Sequence, residues 1–185
     1  MTIGMKCARR KNLLPKLALL AGATLAPADT VKLLDRPAFE DVEVVGFRDG
    51  RLLFRGVSGQ VLRKPLSEVE WFVRDRDPEL SRAESHAQAG DWAAAAASFR
   101  AAADQATDAW LREWCELRWL NAMDRAGDFP AAVNAYIELL ASRPNASALK
   151  PPRNLPPPAS PAGEAARAAL TAAIVNAASN TARER

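Results

Sequence analysis

Histidine is nearly absent: His86 is the only one in 185 residues. That scarcity excludes histidine-rich metal sites and leaves one candidate imidazole base. His86 stands in "AESHAQAG", where no Ser, Cys or carboxylate spacing marks a triad, so it reads as an ordinary helix-surface residue. Gly-rich phosphate loops and paired-carboxylate motifs are missing too. "GVSG" at 56–59 falls one residue short of a nucleophile elbow, and "QVLRKPL" follows where that elbow needs a helix. It reads as a hairpin turn. No catalytic residue, cofactor-binding residue or metal ligand is assigned. An enzyme with a site dispersed along the chain stays as a third-ranked reading.

Cysteine is equally sparse, with Cys7 and Cys115 alone. Long hydrophobic runs are missing as well: "LALLAGATLA" at 17–26 is too short to span a bilayer as a permanent anchor. It follows the basic, acid-free "MKCARRKNLLPK" and leads to Ala26-Pro27-Ala28, an A-x-A cleavage pattern before Asp29. Residues 1–28 therefore read as a signal peptide, and the protein as exported, periplasmic or secreted. Cys7 would leave with the leader, and Cys115 would stay as a lone helix thiol, which is more often core than nucleophile. The charge balance changes with it. The whole chain carries 25 basic and 22 acidic residues, and five of the basic ones lie in 1–28. Removing them leaves 20 against 22, a net charge of −2. Phosphate neutralisation needs clustered Lys and Arg, so this arithmetic argues against nucleic acid as a partner.

Residues 29–77 have the texture of a small β domain. "TVKLL", "VEVVGF", "RLLFRGV", "QVLRKPL" and "EVEWFV" are short and rich in Val, Leu and aromatics. Asp49-Gly50 and Ser58-Gly59 are turn signals between them. Five strands in so short a segment suggest a closed or nearly closed barrel. Strand count and turn placement resemble small barrels of the Sm or SH3-like type. The charges of the segment nearly cancel, which gives RNA binding no support and makes the barrel a packing or docking platform.

Beyond it, a pattern recurs. "AGDWAAAAASFRAAA" at 89–103 and "AGDFPAAVNAYIELL" at 126–140 share A-G-D-aromatic-x-x-A-x-x-x-aromatic, at a spacing in the thirties. Gly90 and Gly127 end one helix, Asp91 and Asp128 cap the next, and Pro130 fits a first turn. Ala95 with Phe99, and Ala132 with Tyr136, stack at i and i+4. The alanines make a thin helix against which neighbours press closely. On these residues the stretch 78–144 resembles two tetratricopeptide repeats, with Pro144 in the closing position. Thr107 in place of a proline, Leu139 against Ala102 and three extra residues depart from the family pattern.

"DAWLREWCELRWLNAMDRAG" at 108–127 reads as a helix with two apolar stripes. Leu111, Cys115, Trp119, Ala122 and Ala126, with Met123 at the edge, form one. Trp110, Trp114 and Leu117, continued by Asn121, form the other. The resemblance implies that Trp114, Leu117 and Asn121 line a concave peptide-binding groove bordered by Glu84 and Arg125. The six residues Glu84, Trp110, Trp114, Leu117, Asn121 and Arg125 are the candidate partner site. The competing reading covers Trp110 and Trp114 internally, by the barrel or the C-terminal helix. The proline-rich 145–161 reads as a stiff connector. Residues 162–185 return to helix, with Ala166, Leu170, Ala173, Ile174 and Ala177 as its apolar stripe. The expectation is an α+β protein, a barrel followed by a capped fragment of helical solenoid, that binds a protein or peptide partner without catalysis. Self-association stays open. The alternative is a nucleic-acid binder using the barrel, which salt-sensitive RNA binding would favour.

Overall fold

The computed structural model describes residues 29–143 and 148–183, so the expected leader at 1–28 lies outside the described residues. Five strands come first: β1 (Asp29–Leu33), β2 (Phe39–Arg48), β3 (Arg51–Arg55), β4 (Val61–Pro65) and β5 (Val69–Val73). They form one antiparallel sheet in the order β4-β3-β2-β1-β5. The sheet is open, which corrects the expected barrel. A 3₁₀ turn, Leu66–Glu68, carries the chain from one edge to the other, and no ladder joins β4 to β5. β2 is the long strand that serves both halves, pairing with β1 at Phe39 and Val42 and with β3 from Glu43 onward. A register shift between Val44 and Gly46 bends it. Asp49 and Gly50 both have positive φ, 51° and 70°, so the β2–β3 hairpin turns as its Asp-Gly dipeptide requires.

Four helices follow: α1 (Pro78–Gln88), α2 (Trp92–Gln105), α3 (Ala109–Ala126) and α4 (Phe129–Ser142). Each packs on the next. The two Gly-Asp junctions behave alike. Gly90 and Gly127 sit at φ 77° and 78°. Behind them the Asp91 and Asp128 carboxylates accept from the N–H groups of Ala94 (3.2 Å) and Ala131 (3.3 Å). The Asp128 N–H also reaches back to the Met123 carbonyl at 3.2 Å, closing the α3 terminus.

The proline-rich segment is pinned to the body, where the sequence suggested a spacer. Both Asp124 carboxylate oxygens accept from Arg153 N–H at 3.1 Å, and one accepts from Asn154 N–H at 3.0 Å. The Asn154 amide in turn donates to the Asp124 carbonyl at 2.8 Å, satisfying a helix-end acceptor. The chain then enters α5 (Pro161–Arg183), capped by the Ser160 hydroxyl, which accepts from Gly163 N–H at 3.1 Å. α5 packs on α4 through Ala166 and Ala169 against Phe129, Val133 and Ile137. Of the expected stripe, Ala166 is buried while Leu170 and Ile174 remain 44% and 69% exposed, and the side chains of Ala173 and Ala177 lie outside the described residues. Small alanines bring the helices together instead.

One core runs through the sheet and the first four helices. Val31, Leu52, Phe54 and Phe72 join Leu80, Phe99, Leu111 and Trp114 in a single cluster. Gly127→Val puts a β-branched residue at φ 78°, where its Cβ would meet no neighbouring atom, so the cost is backbone strain alone. Denaturant unfolding should show a loss of about 1–3 kcal/mol. An unchanged midpoint would remove the left-handed cap from the account.

Candidate functional site

α3 is the central element, and residues on most sides of it are buried. Its Trp110–Trp114–Leu117 stripe does not line an open groove. Trp114 is 0% exposed, with its ring 4.6 Å from that of Phe72 on β5 and 5.6 Å, edge-on, from that of Phe47 on β2. Leu117 and Glu84 are buried with it. The inner side of the sheet fills the space the repeat resemblance assigns to a peptide. This corrects the groove at Glu84, Trp114 and Leu117, because strand alternation gives β2 and β5 large aromatics on that face.

Trp110 is half-buried near the sheet edge. Its ring lies 6.4 Å from Phe72 and carries the Arg74 guanidinium 4.9 Å above it. Arg74 is itself buried and is ringed by carboxylates: Asp77 at 2.8 Å, Asp108 at 3.7 Å and Asp29 at 4.0 Å. Asp29 also accepts from the Val44 N–H at 2.7 Å. The cluster thus ties β1 and β2 to the junction before α1 and to the start of α3. Burial pushes the Asp29 carboxyl above its ordinary value against the lowering effect of the Val44 N–H, and burial likewise raises Asp77.

Glu84 on α1 pairs with Arg118 on α3, beneath Trp114. Arg118 also lies 5.3 Å over the Phe99 ring and 5.9 Å over that of Trp114. Burial raises the Glu84 carboxyl, with the charge of Arg118 offsetting part of that rise. These are structural ion pairs, holding helix to helix and helix to sheet.

The far end of the same α3 face stays open. Asn121 and Arg125, one turn apart, are exposed, and the Arg125 guanidinium stacks 4.6 Å from the centre of the half-buried Trp92 ring at the start of α2. Sequence reasoning placed Asn121 and Arg125 on the groove but missed Trp92, whose role follows from the α2–α3 crossing. A second such pair sets Arg100 4.7 Å over the ring of Trp119. Trp119 is therefore half-buried rather than core, and Ala126 of its expected stripe is exposed.

No group of three or more His, Cys, Asp or Glu side chains among the described residues is placed to hold a metal ion. Burial pushes the Cys115 thiol up to about 12, far from a thiolate at neutral pH. A cleft of about 290 Å³ near the start of α1 is lined by Arg76, Asp77, Glu79, Gln105 and Thr107 with apolar neighbours, and His86 is not among its lining residues. Among the described residues no helix is long and apolar enough to cross a membrane. Neither a family model, a curated protein nor a solved structure matches this chain.

Trp114→Ala should cost about 3–5 kcal/mol in urea unfolding, the range for deleting a buried aromatic. Trp119→Ala should cost clearly less, because its side chain is only half-covered, and equal costs would contradict the placement of α3. pH supplies a second test. Asp29, Asp77, Glu84 and Glu113 all have carboxyls raised first by burial. A carboxyl whose folded-state value lies above its unfolded one binds its proton more tightly when folded. That stabilisation is complete below about pH 4 and is lost as pH rises through the folded value. Stability should fall as pH rises from about 4 towards neutrality, and Glu84→Gln should flatten the slope. A rise in stability over that interval would refute the burial argument.

Proposed function

We propose that this is an exported, non-catalytic protein-interaction module in which a tetratricopeptide-type pair of helical hairpins carries the partner surface. The Gly-Asp junctions support the repeat reading, since both use the same left-handed glycine and the same aspartate cap. The leader-like composition of residues 1–28 supports export. The carrying observation is the half-covered face of α3. Phe47 and Phe72 of the sheet cover Trp114, and Leu117 is buried beside it, while Asn121 and Arg125 are exposed and Arg125 stacks on the half-buried Trp92. Partner contact therefore falls on that open end. Tryptophan and arginine are the residue types most often found as interface anchors. Their stacking leaves the guanidinium donors free for a partner carboxylate or backbone carbonyl.

The test is a comparative pull-down from the producing cell's envelope with the chain beginning at Asp29. A protein retained by wild type should be lost with Arg125→Ala and Trp92→Ala, at an affinity cost of about 2 kcal/mol or more. The thermal midpoint of Arg125→Ala should stay near that of wild type, because an exposed cation–π pair contributes only about 0.5–1 kcal/mol. Capture that both variants leave unchanged would place the partner surface elsewhere. N-terminal sequencing of the exported protein should begin at or near Asp29, and stable protein retaining Met1 would overturn the export reading.

A further inference from the structure

Over residues 30–75 eight basic side chains meet eight acidic ones, which looks neutral. The fold separates them. Between 44 and 65 there are five basic residues, Arg48, Arg51, Arg55, Arg63 and Lys64, against Asp49 alone. The ladders set the faces. Leu52 and Phe54 point into the core, so Arg51, Leu53 and Arg55 point outward. Arg48 pairs directly across from Arg51, and Arg63 across from Leu53. All three arginines therefore share the outer face, around Gly46 and half-buried Leu53. Arg55 is matched by Glu43 and Lys64 by Glu68 at 2.8 Å. Arg48, Arg51 and Arg63 are exposed, and their side chains have no ion pair or hydrogen bond among the described residues.

This face ends at β4, an edge strand. Gly56 N–H donates to Gln60 C=O and Leu66 N–H to Gly50 C=O, which fixes the alternation of the β3–β4 ladder. By that alternation, Leu62 and Lys64 turn their backbone groups toward β3, while Val61 and Arg63 turn theirs outward. Val61 is itself 41% exposed. Charged edge residues and proline commonly protect a strand from unwanted pairing, and Arg63, Lys64 and Pro65 fit that role. Protection does not account for Arg48 and Arg51. They lie on inner strands and stand directly opposite each other, an arrangement that costs stability.

We infer that the β4 edge with its arginine face docks an acidic, extended protein segment, added to the sheet as a further strand. Val61 and Arg63 supply the backbone pairing, outward carboxylates of the segment meet Arg63 and reach across β4 toward Arg51, and Arg48, two strands in from the edge, adds to the positive charge of the face. An acidic peptide fits better than a nucleic acid strand, because none of the outward residues paired along β3 and β4 is an aromatic that could stack bases. Trp71, an outward aromatic, stands on β5 at the opposite edge of the sheet. This surface is separate from the open end of α3, so either can fail without the other.

The test uses the full chain and a labelled peptide of alternating threonine and glutamate. The peptide should bind, weaken as salt rises, and slow amide exchange at Val61 and Arg63. Arg51→Glu and Arg63→Glu, whose circular dichroism should match wild type, should each weaken binding by about tenfold or more. A backbone N-methylated version of the peptide, with every charge kept, should not bind. Equal binding of that version would reduce the surface to charge alone and overturn strand addition. Tighter binding of oligothymidylate, or self-association that Arg63→Glu abolishes, would replace the acidic peptide with another occupant. No peptide binding by wild type at low salt would overturn the proposal outright.

Discussion

Trp114 is where the two halves of this protein meet. A buried indole at the centre of α3 touches Phe47 and Phe72 from the sheet, and Arg118 reaches over it from its own helix. Neither half has an evident way to cover this surface alone. Two helical hairpins bury little core and normally need further repeats or caps. A five-stranded open sheet needs a layer against its apolar face. Each half answers the other's deficit, and the outcome is one continuous core.

Charge is handled at the same junction. The Arg74 guanidinium is kept out of water among Asp29, Asp77 and Asp108. The Glu84–Arg118 pair lies deeper, between α1 and α3. Buried ion pairs are weak net stabilisers, because desolvation offsets most of the attraction, yet removing one partner is costly. Their effect here is to restrict arrangement. Arg74 meets its three carboxylates only when β1, the β5–α1 junction and the start of α3 come together.

The strands, the two turns and the helical hairpins were legible in the sequence, because each is marked by local chemistry. Asp49-Gly50 takes the positive φ pair its hairpin needs, and Asp91 and Asp128 cap the helices that follow their glycines. What faces what was less legible. A helical wheel shows that Trp114 and Leu117 share a stripe, but a covering sheet and a bound peptide satisfy such a stripe equally. The open sheet edge was hidden for a similar reason, since strand count alone does not say whether the last strand meets the first. Asp124 gave no signal at all, because its partners Arg153 and Asn154 lie far along the chain. The arginine face escaped notice because a charge sum discards the alternation that places Arg48, Arg51 and Arg63 together.

Native-state amide hydrogen exchange on the intact chain tests the central claim, that sheet and helices form one cooperative unit through Trp114. Slowly exchanging amides in β2, such as that of Val44, should open with the same free energy as those of Cys115 and Leu117 in α3, because all report the same global unfolding. If the strand amides instead open at a clearly lower free energy while α3 stays protected, the sheet is a separable layer. The Trp114 face would then be uncovered by a local opening, contrary to this account.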